Sequence, residues 1–182
     1  LCCFLIVTST NLKTFGEIKT ENKEMKTWVT NSGYKIIQVL SGRSNVFLIT
    51  NDVKNILIDT GPINKQDKLE SILANLKINH IDYLILTHTH FDHVGNAAFI
   101  KNKYNAQVIV HESEYDYLKT GYSPLPKGSI FPTRLLINLA NRFHLRFLYE
   151  PCIGDIQVKD TFNFYNHEFN AYIIYTPGHS IG

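Results

Sequence analysis

The run Ile81-Asp82-Tyr83-Leu84-Ile85-Leu86 constrains the fold more than any other stretch of this chain. Successive side chains of a strand point to opposite faces, and here, Asp82 apart, both alternating sets are apolar. Such a strand needs cover on both sides, so the chain must build layers above and below a sheet. Its flanks agree. Upstream, after Gly61-Pro62, Leu69, Ile72, Leu73 and Leu76 recur at helical spacing, with Asn64 available as N-cap. Downstream, a second helix carries Ala97, Ile100 and Tyr104 on one side, followed by a β-like run from Gln107 to Val110. The unit reads strand, helix, strand, helix, strand, an α/β arrangement.

Three shorter runs, Lys35 to Leu40, Asn45 to Thr50 and Asn55 to Asp59, precede it, separated by Ser41-Gly42 and Asn51-Asp52 turn signals, and predict an antiparallel meander. Residues 11–26 are polar and lysine-rich without periodicity and read as a linker. Leu1 to Val7 is apolar and followed by Thr8, Ser9 and Thr10, the pattern of an export-signal remnant; the alternative is a terminal stretch with no targeting role. The expected division is therefore 1–26, signal remnant and linker, then 27–182, one domain. It places the protein outside the cell or in a periplasm, with the cytoplasm as the alternative.

Residues 121–151 interrupt the rhythm. Pro124, Pro126, Gly128 and Pro132 predict a loop, after which Leu135, Leu136, Leu139, Ala140, Phe143 and Phe147 recur helically, with Arg142 and Arg146 on the other face. This insertion is expected to pack on the body; shaping a substrate pocket or touching a membrane surface are the alternatives. β-like runs return at Ile156 to Val158, Thr161 to Tyr165 and Ala171 to Tyr175.

Composition narrows the function classes. With 44% hydrophobic and 19% charged residues, the 182-residue chain suits one domain with a substantial core. Its net charge of +2 is spread without a dense basic block, so nothing electrostatic points to nucleic acid. No run approaches the roughly 20 apolar residues of a membrane span. Cys2, Cys3 and Cys152 make no paired framework, and Cys152 reads as a buried, idle thiol.

The chemistry lies in Thr87-His88-Thr89-His90-Phe91-Asp92-His93, directly after the buried strand. With eight His and eight Asp in the chain, His-x-His-x-Asp-His arises by chance about 7 times in 10,000 such chains. His88 and His90 share strand parity, so both imidazoles project to one side as a natural pair of zinc ligands. Asp92 and His93 lie where the chain turns into a helix beginning near Val94, and point elsewhere. That permits a second cation beside the first, a recognised hydrolytic arrangement.

This motif resembles that of the metallo-β-lactamase superfamily, which carries it at a strand end between an upstream Asp-x-Gly and a downstream Gly-His-[Ser/Thr]. Asp59-Thr60-Gly61 and Gly178-His179-Ser180 stand in those places, and the likeness runs from about Tyr34 to Gly182. The resemblance implies that His88, His90 and His179 hold a first metal and that Asp92 and His93 contribute to a second. It also implies that Asp59 holds the ligand loops without being a ligand. The implied fold is a four-layer αββα sandwich, C-terminally truncated, because the family's later bridging Asp and final His would lie beyond Gly182.

The implied activity is a metal-dependent hydrolase. Three histidines leave a zinc position open for water, whose pKa falls to about 7, and the resulting hydroxide attacks a carbonyl. Asp92 serves as the catalytic residue that orients the attacking oxygen. Zinc is expected, two ions per full-length chain, with iron or manganese as alternatives. The substrate is a small molecule: a thioester, a lactone, a β-lactam, or another ester or amide. His93 disfavours the best-known broad-spectrum zinc β-lactamases, which have Cys there. Phe91 disfavours RNA-processing relatives, and His90 disfavours flavodiiron oxidoreductases. Two alternatives stay open: an iron persulfide dioxygenase, which shares the motif but binds one iron, and a non-catalytic metal-binding protein that retains the fold.

The remaining titratable groups carry plainer readings. His80, His144 and His167 have no partner at motif spacing. His111 closes a strand and reads as structural, although it could face the rim near His90. Glu112 and Glu114 read as first-turn acids that favour a helix dipole.

Overall fold

The computed structural model of the chain describes residues 4–8, 12–20, 23–123, 147–165, 169–178 and 180. In chain order the elements are β1 (Phe4–Thr8), β2 (Leu12–Thr20), β3 (Lys23–Thr30), β4 (Lys35–Leu40), β5 (Val46–Thr50), β6 (Asn55–Ile58), α1 (Gln66–Asn75) and β7 (Tyr83–Ile85). Then follow α2 (Phe91–Val94), α3 (Ala97–Tyr104), β8 (Gln107–His111), α4 (Tyr115–Thr120), β9 (Tyr122–Ser123), β10 (Phe147–Leu148), β11 (Ile156–Val158), β12 (Thr161–Asn163) and β13 (Ala171–Tyr175). Short 3-10 turns at Ile63–Lys65 and Glu112–Glu114 lead into α1 and α4.

Eight strands form one sheet in the order β11-β8-β7-β6-β5-β4-β3-β2. From β2 to β6 neighbours pair antiparallel, as a meander should. From β6 through β7 and β8 to β11 they pair parallel, because helices carry the chain back between strands. β1, β13 and β12 form a second, antiparallel sheet.

Strict alternation splits the core in two. Leu48, Leu57, Leu84, Val108 and Val110 face one way and pack with Leu69 and Leu73 of α1, Ile100 of α3 and Leu118 of α4. Ile49, Ile56, Ile85 and Ile109 face the other way, against Phe164, Phe169 and Ile173 of the smaller sheet and its connection. Each such side chain, fully buried, stabilises the fold by about 1.5–3 kcal/mol before the entropy of ordering is counted. The layers are helices, large sheet, small sheet; a second helical layer does not occur among the described residues.

The structure revises several expectations. Residues 12–20 and 23–26 are strand, not linker: β2 and β3 form an antiparallel hairpin whose inner strand pairs with β4. Backbone pairing needs no apolar run, and this hairpin adds a polar outer edge. Phe4–Thr8 pairs with β13, so part of the expected signal remnant takes a place in the second sheet. Asn64 does not cap α1; the chain enters through the 3-10 turn and Lys65 stands at the N-cap without a side-chain cap. The motif helix begins three residues early, at Phe91. Of the 121–151 insertion, residues 124–146, with the expected apolar helix, lie outside the described residues; β9 and β10 pair where that segment leaves and returns.

Candidate metal centre

β6, β7 and β8 lie side by side and parallel, so the loops after them open at one edge of the sheet, the place where open α/β sheets hold their sites. The 87–93 segment follows β7, the middle strand. His88 and His90 are buried, at 2% and 8% exposure, and the Nε2 of His88 stands 3.0 Å from the Nδ1 of His90. Their shared parity does bring the two rings together, with centroids 4.5 Å apart.

His93 differs from expectation. The single turn of α2 carries it back over the strand end, so its ring lies 4.1 Å from that of His88 and does not point away. Its Nδ1 meets the Oδ2 of Asp59 at 2.7 Å. Burial opposes protonation of His93, but the hydrogen bond and charge of Asp59, with the charge of Asp92, outweigh it and raise the imidazole above its ordinary value. Asp92, mostly buried, has its Oδ2 3.3 Å from the Nε of Arg43, whose guanidinium also lies over the Phe91 ring. His179 lies outside the described residues, as do His144 and His167. Among the described residues no three of the donors close around one point.

Asp59 sits in a left-handed conformation, φ 59°, at the end of β6. Its carboxylate accepts from the Thr87 N–H at 2.8 Å and the Thr87 hydroxyl at 2.8 Å, in addition to its contact with His93. Thr60 continues the tie, donating from N and Oγ1 to the His93 carbonyl. Asn96 in turn donates from its backbone N to Thr60 Oγ1 and from its side chain to the Thr60 and Pro62 carbonyls. Gly95 is needed for close approach: a Cβ there would stand 2.5 Å from the Ile63 backbone nitrogen. Ser44, in the loop after β4, donates to the Asp92 carbonyl.

Glu114 escaped the sequence reading. It is 3% exposed, and its Oε2 accepts from the Thr89 N–H at 3.0 Å and from the Thr89 hydroxyl. The signal that could have found it is its spacing to Leu118, four residues on, which is fully buried. Glu112, by contrast, is exposed and near Lys159. His111 is buried, engages the Lys159 carbonyl at 2.8 Å and Ser113 Oγ at 2.7 Å, and stacks on Tyr175. His80 is exposed beside Asp82, away from the site.

The profile of the metallo-β-lactamase superfamily matches residues 41–182. The chain belongs to this superfamily. It is 31% identical over 143 residues to the "Probable metallo-hydrolase" of Methanocaldococcus jannaschii, covering 76% of this chain and 59% of that one. It is 30% identical over 90 residues to the exodeoxyribonuclease WalJ of Streptococcus pneumoniae, covering 48% of this chain and 33% of that one. Among solved structures, the metallo-β-lactamase MIM-1 of Novosphingobium pentaromativorans superimposes with a TM-score of 0.63 at 20% identity, over 81% of this chain and 50% of that one. The chain thus spans 59% of that metallo-hydrolase and about half of that solved structure, and the structural likeness speaks for the fold.

Proposed function

We propose that the full-length protein is a metal-dependent hydrolase of small carbonyl substrates such as thioesters, lactones or β-lactams, with zinc as its metal. The observation that carries this reading is the pair of buried imidazoles, His88 and His90, whose ring nitrogens face each other at 3.0 Å on the edge where three parallel strands end. Two imidazole nitrogens backed by a third ring and the Asp92 carboxylate are a donor set that suits a borderline divalent ion. His88, His90 and His179 would hold the first ion, and Asp92 and His93 would contribute to the second. A metal bound there supplies a lowered water pKa and polarisation of the carbonyl.

The protein's own residues do the rest. Asp59 fixes the His93 ring through Nδ1, which leaves Nε2 as the ligating atom. Asp92 presents a carboxylate that can orient the attacking oxygen, and Ser44 and Thr60 hold the backbone of α2 on which Asp92 and His93 ride.

Elemental analysis of full-length protein purified without added metal, alongside assays on thioester, lactone, β-lactam and DNA substrates, tests the proposal. Close to two transition metals per chain and turnover of a carbonyl substrate are expected. His88→Ala and His90→Ala should abolish that turnover while His80→Ala leaves it nearly intact. Stoichiometric iron alone with oxygen consumption on a persulfide would overturn hydrolysis, and release of nucleotides from DNA without action on carbonyl substrates would overturn the small-molecule assignment.

A further inference from the structure

We propose that Glu114 is a positioning residue for the His88 and His90 pair, acting through Thr89. The inference rests on the metal-centre reading above. Thr89 is fully buried and lies between the two histidines in sequence. Its backbone N–H and its hydroxyl both end on one atom, the Oε2 of Glu114, 25 residues further along the chain. The N–H bond orients the peptide plane that joins residue 88 to residue 89, and the hydroxyl bond locks the threonine rotamer. Between them they fix the backbone from which both imidazoles project.

The simpler reading of Glu114, an acid serving its own helix, does not fit. It occupies the N-cap of α4, yet its side chain makes no capping bond there. A buried carboxylate carries a desolvation cost that has to be offset by hydrogen bonds. Here the side chain turns from its own helix end to the neighbouring loop. The placement also mirrors Asp59, which takes the N–H and hydroxyl of Thr87 in the same way. Each carboxylate thus holds one of the two threonines that alternate with the two histidines.

Cobalt(II) titration of the full-length protein, read by its visible ligand-field bands, tests this, with hydrogen exchange at the Thr89 amide as a metal-independent readout. Folded Glu114→Ala should bind cobalt about 10–100-fold more weakly, with altered bands and lost Thr89 protection. Glu114→Gln retains an oxygen acceptor and should recover most of the affinity, a rescue that mere loss of stability would not predict. Folded Glu114→Ala with affinity within twofold of wild type and unchanged bands would overturn the inference. If Glu114→Ala does not fold, Thr89→Val decides: about 3–10-fold weaker binding supports the role, and wild-type binding with wild-type bands overturns it. A wild-type protein that takes up no cobalt, or a His88→Ala variant that binds as well, would overturn the metal-centre reading itself. Loss of binding in His88→Ala with none in Glu114→Ala would overturn only the positioning role.

Discussion

The loop after β6 and the turn after β8 flank the same segment from opposite sides, and each supplies one buried carboxylate to one threonine of it. They are not equivalent. Asp59 also holds a histidine, and its loop is tied to α2 and α3 through Thr60 and Asn96. Glu114 holds Thr89, between two of the candidate ligands, by its N–H and its hydroxyl. One side of the segment therefore fixes a ring and the other fixes a peptide.

That asymmetry can be broken by substitution. The largest effect is expected from Asp59→Ala, which leaves the Thr87 N–H, the Thr87 hydroxyl and the His93 Nδ1 without their acceptor; at about 1–3 kcal/mol for each buried donor, and less than additively, a loss of about 3–5 kcal/mol in urea unfolding is expected. Glu114→Ala strands two donors and should cost about 2–3 kcal/mol. An equal or larger loss in Glu114→Ala would show that the β8 side carries the segment. Smaller still are Thr87→Val and Thr89→Val, which each remove the hydroxyl bond to a carboxylate, at about 1 kcal/mol. A double-mutant cycle showing strong coupling between them would mean that the two carboxylates grip one rigid unit, whereas additive losses would mean two separate grips.

The finest probe is Cys152, buried beside α4 on the β8 side, whose backbone N–H donates to the Leu118 carbonyl. Burial pushes its thiol up to about 11. In the unfolded chain the thiol ionises near pH 9 while the folded protein resists, so its contribution to stability is lost as pH rises from that value toward 11. With Cys2 and Cys3 replaced by serine, labelling of the native protein at pH 8 should be slow. It should quicken in Glu114→Ala more than in Asp59→Ala, and the reverse order would place Cys152 under the control of the other side.

How much of this was legible depended on the kind of signal. The sheet from β4 to β8 was readable because its strands alternate or bury both faces, and α1 and α3 because their apolar residues keep helical spacing. The motif stood out because four titratable side chains fall within six residues, and Asp59 only through the resemblance that expects an Asp-x-Gly upstream. The β2-β3 hairpin was not, since polar edge strands are specified by pairing and leave no hydrophobic period. His93 was expected to turn away because a single helical turn, begun three residues early, cannot be told from a longer one by composition. Glu114 was hidden by an ordinary explanation, an acid at a helix start, and its partner lies 25 residues away.

The pairing of Tyr122–Ser123 with Phe147–Leu148 has a consequence for how this protein can change. The chain departs for residues 124–146 and comes back at one point, and the Tyr149 hydroxyl closes that point by donating to the Tyr117 and Tyr122 carbonyls. The stem at that point is two rungs long. Where two ends of a stretch are held together by pairing, a change of length between them need not shift the strands on either side. Selection can therefore vary the length of this stretch while the edge that carries His88 and His90 is inherited.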